Sequence, residues 1–333
     1  MGKNTKAIGL LSGGLDSTVA LKLMLMQDID VLAVKFSSIF CLCDRENGCG
    51  AGSVVKNFDI PLKHVAKGND YLEVIKNPEF GYGQGLNPCI DCRIYMFKKA
   101  KELMDEEQAD FIFTGEVVNQ RPFSQKKHIM DLIDKKSGLQ GKILRPLSAK
   151  LLPPTEAEKN GIVDREKLLD IKGRRRKTQY DFVENFKIKG YACPSGGCLL
   201  TDKIFSKKMK EMFKINPGCT FSDINLLKHG RVFWQDRNLI VVGRNKEENE
   251  ILKKLCRKND VFIILQNTPS PAILIRGENI DREIIEKGKN LVLKYTTKKI
   301  DGPPVFTILY TDTEAQMKNN NVIPEESGVN SPG

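Results

Sequence analysis

Ser12-Gly13-Gly14-Leu15-Asp16-Ser17 stands between an apolar run, Ala7 to Leu11, and an apolar-periodic segment, Thr18 to Met26. That context predicts the turn from a buried strand into a helix. Two glycines let the backbone approach a phosphate, the first amides of the helix point outward, and Ser12 and Ser17 add hydroxyl donors. The alternative is an ordinary glycine-rich turn in which Asp16 caps the helix. The run is not a Walker A loop, because GxxxxGK[ST] is absent and no lysine follows the glycines.

Working outward, residues 5 to 36 read as strand, loop, helix and strand, with Val31 to Phe36 as the second buried strand. This is the opening βαβ unit of a parallel sheet. Ligands of open parallel sheets bind beyond the carboxyl ends of the strands, which places SGGLDS and the surroundings of Phe36 on one rim. Leu62 to Ala66 and Asp110 to Thr114 are further strands. Gly115, in Thr114-Gly115-Glu116, then faces the same rim, its missing side chain leaving room for a nucleotide. The predicted fold class is α/β with a parallel sheet, followed by a smaller second domain.

The chain has 333 residues, 40% of them hydrophobic, enough for two domains with sizeable cores. No stretch is apolar for long enough to span a membrane, and MGKNTKAIGLLSGG lacks a signal-peptide cleavage pattern, so a cytoplasmic location is expected. In a reducing compartment nine cysteines point to metal binding or catalysis rather than disulfides. The net charge of +11 favours a polyanionic partner, although a basic surface also serves solubility.

Three cysteine-bearing stretches follow. Cys41-Leu42-Cys43, with Cys49, reads either as a small metal clip or as a loop with incidental thiols. Asn87-Pro88-Cys89-Ile90-Asp91-Cys92-Arg93 opens a helix running toward Glu107, with Pro88 in its first turn. Cys89 and Cys92 then share one helix face near the N-terminus, where thiolates are favoured. A CxxC pair alone is ambiguous among redox couple, zinc half-site and iron–sulfur ligation. Cys193-Pro194-Ser195-Gly196-Gly197-Cys198 is the third stretch, its glycines keeping the sulfur reachable.

The dense cationic run Lys172-Gly173-Arg174-Arg175-Arg176-Lys177 reads as a backbone-phosphate contact or as a solvated helix face. Residues 220 to 311 alternate apolar strands with one or two helices, a small α+β domain. The residues after 311 are polar and are expected to form a disordered tail, 312–333.

SGGLDS resembles the pyrophosphate-binding loop of the PP-loop ATPases, which adenylate a carbonyl or carboxyl oxygen and release pyrophosphate. With NPCIDCR (87–93), TGE (114–116) and SGGCLLTDKIFSKKMKEMFKINPG (195–218), residues 5 to 218 resemble the tRNA thiouridylases of that superfamily, of MnmA and ThiI type. The resemblance implies an ATP site of Ser12, Gly13, Gly14, Leu15, Asp16, Ser17, Phe36 and Gly115. It further implies Mg2+, Asp16 as the loop aspartate, and Cys92 and Cys198 as the catalytic cysteines. Cys89 replaces the aspartate usual in the family, which makes a [4Fe-4S] cluster on Cys89, Cys92 and Cys198 possible, with Cys193 as a competing ligand. The older scheme carries persulfide on Cys198 and forms a disulfide with Cys92. GRNKEENEILKKL resembles the NFACT-R (DUF814-like) RNA-binding module, where Arg231, Arg244 and Lys246 would contact phosphates.

The expected domains are therefore residues 1–218, a PP-loop sulfurtransferase domain, and 219–311, an RNA-binding module. The expected activity is ATP-dependent tRNA thiolation, with tRNA and a sulfur donor (a cysteine desulfurase, a relay protein or sulfide) as partners. The rivals are a PP-loop amidase or ligase using a nitrogen nucleophile and a non-catalytic RNA-binding protein.

Overall fold

Lys6–Leu10 (β1) is central in a five-stranded, wholly parallel sheet of order β3-β2-β1-β4-β5. The structure, a computed structural model, describes residues 5–42, 50–191 and 197–311. The expectations for Cys43, Cys49, Cys193 and the tail 312–333 lie outside the described residues. After β1 come Leu15–Leu25 (α1), Asp30–Ser37 (β2), Gly50–Phe58 (α2), Leu62–Ala66 (β3), Asp70–Lys76 (α3) and Cys89–Glu106 (α4). Phe111–Thr114 (β4), Lys127–Lys136 (α5), Ile143–Leu144 (β5), Glu156–Lys159 (α6) and Lys177–Asn185 (α7) complete the first unit.

The strands alternate inward to two faces, as their period of two requires. Ala7, Val31, Ala33, Phe111 and Phe113 meet α1, α2 and α7 on one side. Ile8, Leu10, Leu32, Val34, Ile112 and Ile143 meet α4 and α5 on the other. Each fully buried aliphatic or aromatic side chain contributes roughly 1.5–3 kcal/mol. With both faces covered, β1, β2 and β4 read as nearly continuous apolar runs, while the edge strand β3 carries Lys63 and His64. The chain builds outward from β1 through β2 to β3 and then returns to β1's other side with β4. That reversal places the topological switch point between β1 and β4.

Residue contacts divide the chain into Met1–Lys203 and Ile204–Gly333, ahead of the expected boundary at 218. The reason is the helix Lys203–Ile215 (α8), whose Met212 and Ile215 line the same cavity as Trp234 and Leu239. Phe221–Leu226 (α9), Arg231–Gln235 (β6), Asn238–Val242 (β7), Lys246–Leu255 (α10), Val261–Leu265 (β8), Ile273–Arg276 (β9), Arg282–Tyr295 (α11) and Phe306–Tyr310 (β10) follow. These strands form an antiparallel sheet of order β10-β8-β9-β7-β6. Its core joins Ile240, Ile263, Ile275 and Ile308 to Ile284, Leu291 and Val292 of α11. The expected α+β second domain is therefore present. Among the described residues no helix is long and apolar enough to cross a membrane.

Candidate active site

The turn from β1 to α1 lies at the carboxyl end of the sheet. Gly14 is the N-cap of α1 and no side chain caps it, so the amides at the helix start keep the orphan donors that bind anions. Ser12 and Ser17 hydroxyls lie 3.1 Å apart, and Ser17 and Thr18 donate to the Gly14 carbonyl at 2.9 and 3.0 Å. Gly13 takes φ +78°, and a Cβ there would come within 2.2 Å of Ala51 N, so conformation and packing both demand glycine. The buried Lys35 of β2 reaches the Ser12 carbonyl at 3.4 Å from below. Phe36, half-buried, stands at the end of β2 in register with Val65.

Asp16 does not cap its helix. Its carboxylate accepts from Gln120 Nε2 at 3.2 Å, Gln179 Nε2 at 3.0 Å and Arg176 Nε at 3.3 Å. The basic run reaches it through a parallel bridge between Val118 and Lys172, in which Gly173 N donates to Val118 O at 2.7 Å. Arg176 therefore belongs to the phosphate-loop site, while Arg174, Arg175 and Lys177 stay exposed. A Cβ at Gly115 would lie 2.5 Å from Ser17 N, so its bareness admits the start of α1.

Cys89 opens α4, and Cys92 sits one turn on. Lys67, just past β3, places its ammonium 2.9 Å from Cys92 Sγ and 4.3 Å from the centre of the Tyr71 ring. Burial alone would raise the Cys92 thiol, but Lys67 and a hydrogen bond from Tyr71 outweigh it and hold the pKa below the ordinary value. Burial, reinforced by the Cys92 charge, raises Tyr71. Burial and the neighbouring Cys92 raise Cys89, so the helix N-terminus does not make both cysteines thiolates. Burial pushes Cys198 up to about 11. Its segment is held by Leu86 N, which donates to Leu200 O at 2.9 Å, and by hydrogen bonds to residues 40 and 42.

The start of α4 is tied to the Thr114-Gly115-Glu116 turn by an ion pair. Arg93, next to Cys92, lies 3.3 Å from Glu116, which also meets Arg145 at 3.1 Å. Burial would raise the Glu116 carboxyl, yet Arg93 and Arg145 hold it below the usual carboxylate range. Arg145 also pairs with Asp134 at 2.6 Å. Arg121 lies within electrostatic range of Arg93, Cys89, Glu116 and Arg176. Sequence reasoning missed Lys67, Tyr71, Gln120 and Gln179. Lys67 alone carried a signal, its place at a strand's carboxyl end.

In the second unit Arg231 lies 4.5 Å above the Tyr295 ring, and Arg244 is pinned to Glu248 by contacts of 3.0 Å from its Nε. Lys246 begins α10 and is exposed.

Cys89, Cys92 and Cys198 lie within electrostatic range of one another. Among the described residues, no group of three or more His, Cys, Asp or Glu side chains is placed to hold a metal ion. Lys67 and Tyr71 engage Cys92 Sγ and favour its thiolate. Both Asp16 oxygens are taken by nitrogen donors, so they offer no ready magnesium ligand.

Residues 2–163 match the family described as thiamine biosynthesis protein (ThiI), and residues 230–327 match NFACT protein RNA binding domain. No curated protein matches the chain in sequence. Among solved structures the chain is similar to a 4-thiouridine synthetase–RNA complex with bound ATP, at 21% identity and TM-score 0.36, covering 68% of this chain and 53% of that one. The chain thus spans about half the length of that synthetase. It is also similar to the U34-tRNA thiolase NcsA from Methanococcus maripaludis with its [4Fe-4S] cluster, at 18% identity and TM-score 0.31, covering 69% and 74%. A predicted subunit of tRNA methyltransferase from Methanocaldococcus jannaschii matches at 15% identity and TM-score 0.30, covering 43% and 69%. The parallel-sheet unit thus carries the match to the ThiI family, and the antiparallel-sheet unit carries the match to the NFACT RNA-binding domain.

Proposed function

We propose that the protein is an ATP-dependent tRNA sulfurtransferase. One observation carries this most directly: an uncapped helix N-terminus and a lysine-paired thiolate share a rim, where the Arg93–Glu116 ion pair ties the start of α4 to the Thr114-Gly115-Glu116 turn. The first group of residues suits cleavage of ATP between the α and β phosphates. A uridine carbonyl oxygen attacks the α-phosphorus, and pyrophosphate leaves into the amides of Leu15, Asp16 and Ser17. Arg176 adds positive charge beside the departing phosphates. Adenylation turns a poor leaving oxygen into a good one.

Sulfur then displaces AMP. In this proposal Cys198 carries a persulfide whose terminal sulfur attacks the activated carbon, and AMP departs with the C–O electron pair. The Cys92 thiolate next attacks Cys198 Sγ, the bond between Cys198 and the transferred sulfur breaks, and a thiocarbonyl is released. The product disulfide joins Cys92 to Cys198, and an external dithiol reduces it. The depressed pKa of Cys92 suits the attacking role, and no step is routed through a cluster. The target base must leave its stack to reach the rim. The NFACT-type domain and the exposed Arg174 and Arg175 supply phosphate contacts.

The test is nucleoside mass spectrometry of tRNA from cells lacking the gene, with wild-type and variant chains restored. One thionucleoside should vanish and return only with wild type. Cys92→Ser and Cys198→Ser chains should still release pyrophosphate. A complete set of thionucleosides in the deletion would overturn the assignment, and thiol-independent product formation would favour a nitrogen-using ligase.

A further inference from the structure

Cys41 and Cys198 stand opposite each other in an isolated antiparallel bridge. Leu199 N donates to Phe40 O at 2.8 Å, and Leu42 N donates to Gly197 O at 3.1 Å. Because the hydrogen bonds belong to the flanking residues, Cys41 and Cys198 form the non-hydrogen-bonded kind of pair. In that kind the Cα atoms sit about 4.5 Å apart and the two side chains leave the same face. A disulfide spans Cα separations of roughly 4.4–6.8 Å, so this pair can be bridged without moving the backbone. Both residues are half-buried. The bridge also adjoins the Lys67–Cys92 pair: the Phe40 ring lies 6.4 Å from Tyr71, and Cys198 is within electrostatic range of Cys92.

We propose that Cys41 and Cys198 form a cross-strand thiol–disulfide couple that takes the oxidation product off Cys92. This rests on the sulfur-transfer reading above, in which turnover leaves Cys92 joined to Cys198. The Cys41 thiolate, its proton lost to solvent, attacks Cys198 Sγ. A Cys41–Cys198 bond forms, the Cys92–Cys198 bond breaks, and its electron pair leaves on Cys92. The exchange involves no net oxidation. It is directional because the leaving sulfur departs as a thiolate into the Lys67 ammonium and the Tyr71 hydroxyl, and a low-pKa thiol leaves faster. Cys92 is thereby restored to its charged form, and the oxidised pair waits at the bridge for an external dithiol.

The experiment is disulfide mapping of the full chain after mild oxidation with diamide. Trypsin releases Cys41 with Cys43 in the peptide 36–45 and Cys198 with Cys193 in the peptide 190–203. The decisive sample is therefore the Cys43→Ser/Cys193→Ser double variant. The two peptides should remain linked in that variant and in Cys92→Ser, separate with dithiothreitol, and lose the link in Cys41→Ser. During turnover, Cys41→Ser should accumulate the Cys92–Cys198 disulfide at least about tenfold over wild type. Circular dichroism confirms that each variant is folded. The couple is overturned if the folded double variant gives no 36–45/190–203 link, or if the link survives when Cys41→Ser is added to that double variant. Mapping needs no thiolation activity, so a missing link with thionucleoside still formed sinks the relay alone. A link present without thionucleoside sinks the tRNA assignment alone.

Discussion

The Lys67 ammonium, 2.9 Å from Cys92 Sγ, lowers the pKa of one cysteine of the site while burial raises those of its neighbours Cys89 and Cys198. Alkylation by iodoacetamide tests the asymmetry. Because the folded pKa of Cys92 is lowered, its alkylation at neutral pH is faster than that of an ordinary thiol and slows as pH falls. Lys67→Met removes the charge that outweighs burial, so the pKa rises above the ordinary thiol value. The Cys92 rate at pH 7 should fall at least about tenfold, a factor of ten per pKa unit. Cys198, at about 11, stays slow and gains with pH up to that value. Equal Cys92 rates in wild type and Lys67→Met would contradict the assignment.

Asp16 and Arg176 should separate from the rest of the cationic run. Pyrophosphate release should drop on the order of 100-fold in Asp16→Ala, which releases Gln120, Arg176 and Gln179 together, and by about tenfold in Arg176→Ala, which removes one preorganised positive charge at the reacting phosphates. Arg174→Ala and Arg175→Ala should leave release intact. Each should instead lower the salt-dependence slope of tRNA binding by about 1, the signature of one phosphate contact. Equal effects of all three arginine variants on release would refute the division.

The glycines of the rim differ in a way that denaturation can read. Gly115→Ala drives a methyl into the start of α1 and should cost about 1–3 kcal/mol, seen as a lower urea midpoint. Gly13→Ala adds backbone strain to its clash and should cost at least as much. Gly14→Ala, whose Cβ would meet only Ser12 Oγ at 3.5 Å, should stay near wild type.

The sheet and the thiols were legible because each is written locally. Val31–Phe36 and Val261–Leu265 are largely apolar runs, and the structure places strands over those spans. What surrounds Asp16 and Cys92 was not legible. Lys67 is one of 53 basic residues, and its place at a strand's carboxyl end does not say that its ammonium meets Cys92. Gln179 is fully buried on α7 and contributes through an amide, a group with no motif of its own. A charge run likewise does not say which of its members turns inward; the Val118–Lys172 bridge decides that for Arg176. Gly115 was correctly set on the rim, but a sequence does not show which neighbour occupies the space a glycine leaves.

Arg145→Leu offers a stability test beneath the site. It strands Asp134 as a buried carboxylate, leaves Glu116 with Arg93 alone, and should cost about 3–5 kcal/mol in chemical denaturation. In wild type the lowered Glu116 pKa contributes stability above the ordinary carboxylate range, and that contribution is lost as pH falls through the folded value. Loss of less than about 1 kcal/mol in Arg145→Leu would show that water already reaches the pair.

The clamp on Asp16 also has a place in time. Its partners lie 104, 160 and 163 residues further along the chain. At roughly 5–20 residues per second, a ribosome that has just released the phosphate loop needs about 8–33 s to deliver Gln179. Through that interval the nascent chain carries a phosphate loop without its clamp, and Cys92 without the bridge that holds Cys198. A protein whose chemistry is completed by its later segments is born inactive, and its half-made chains neither split ATP nor move sulfur.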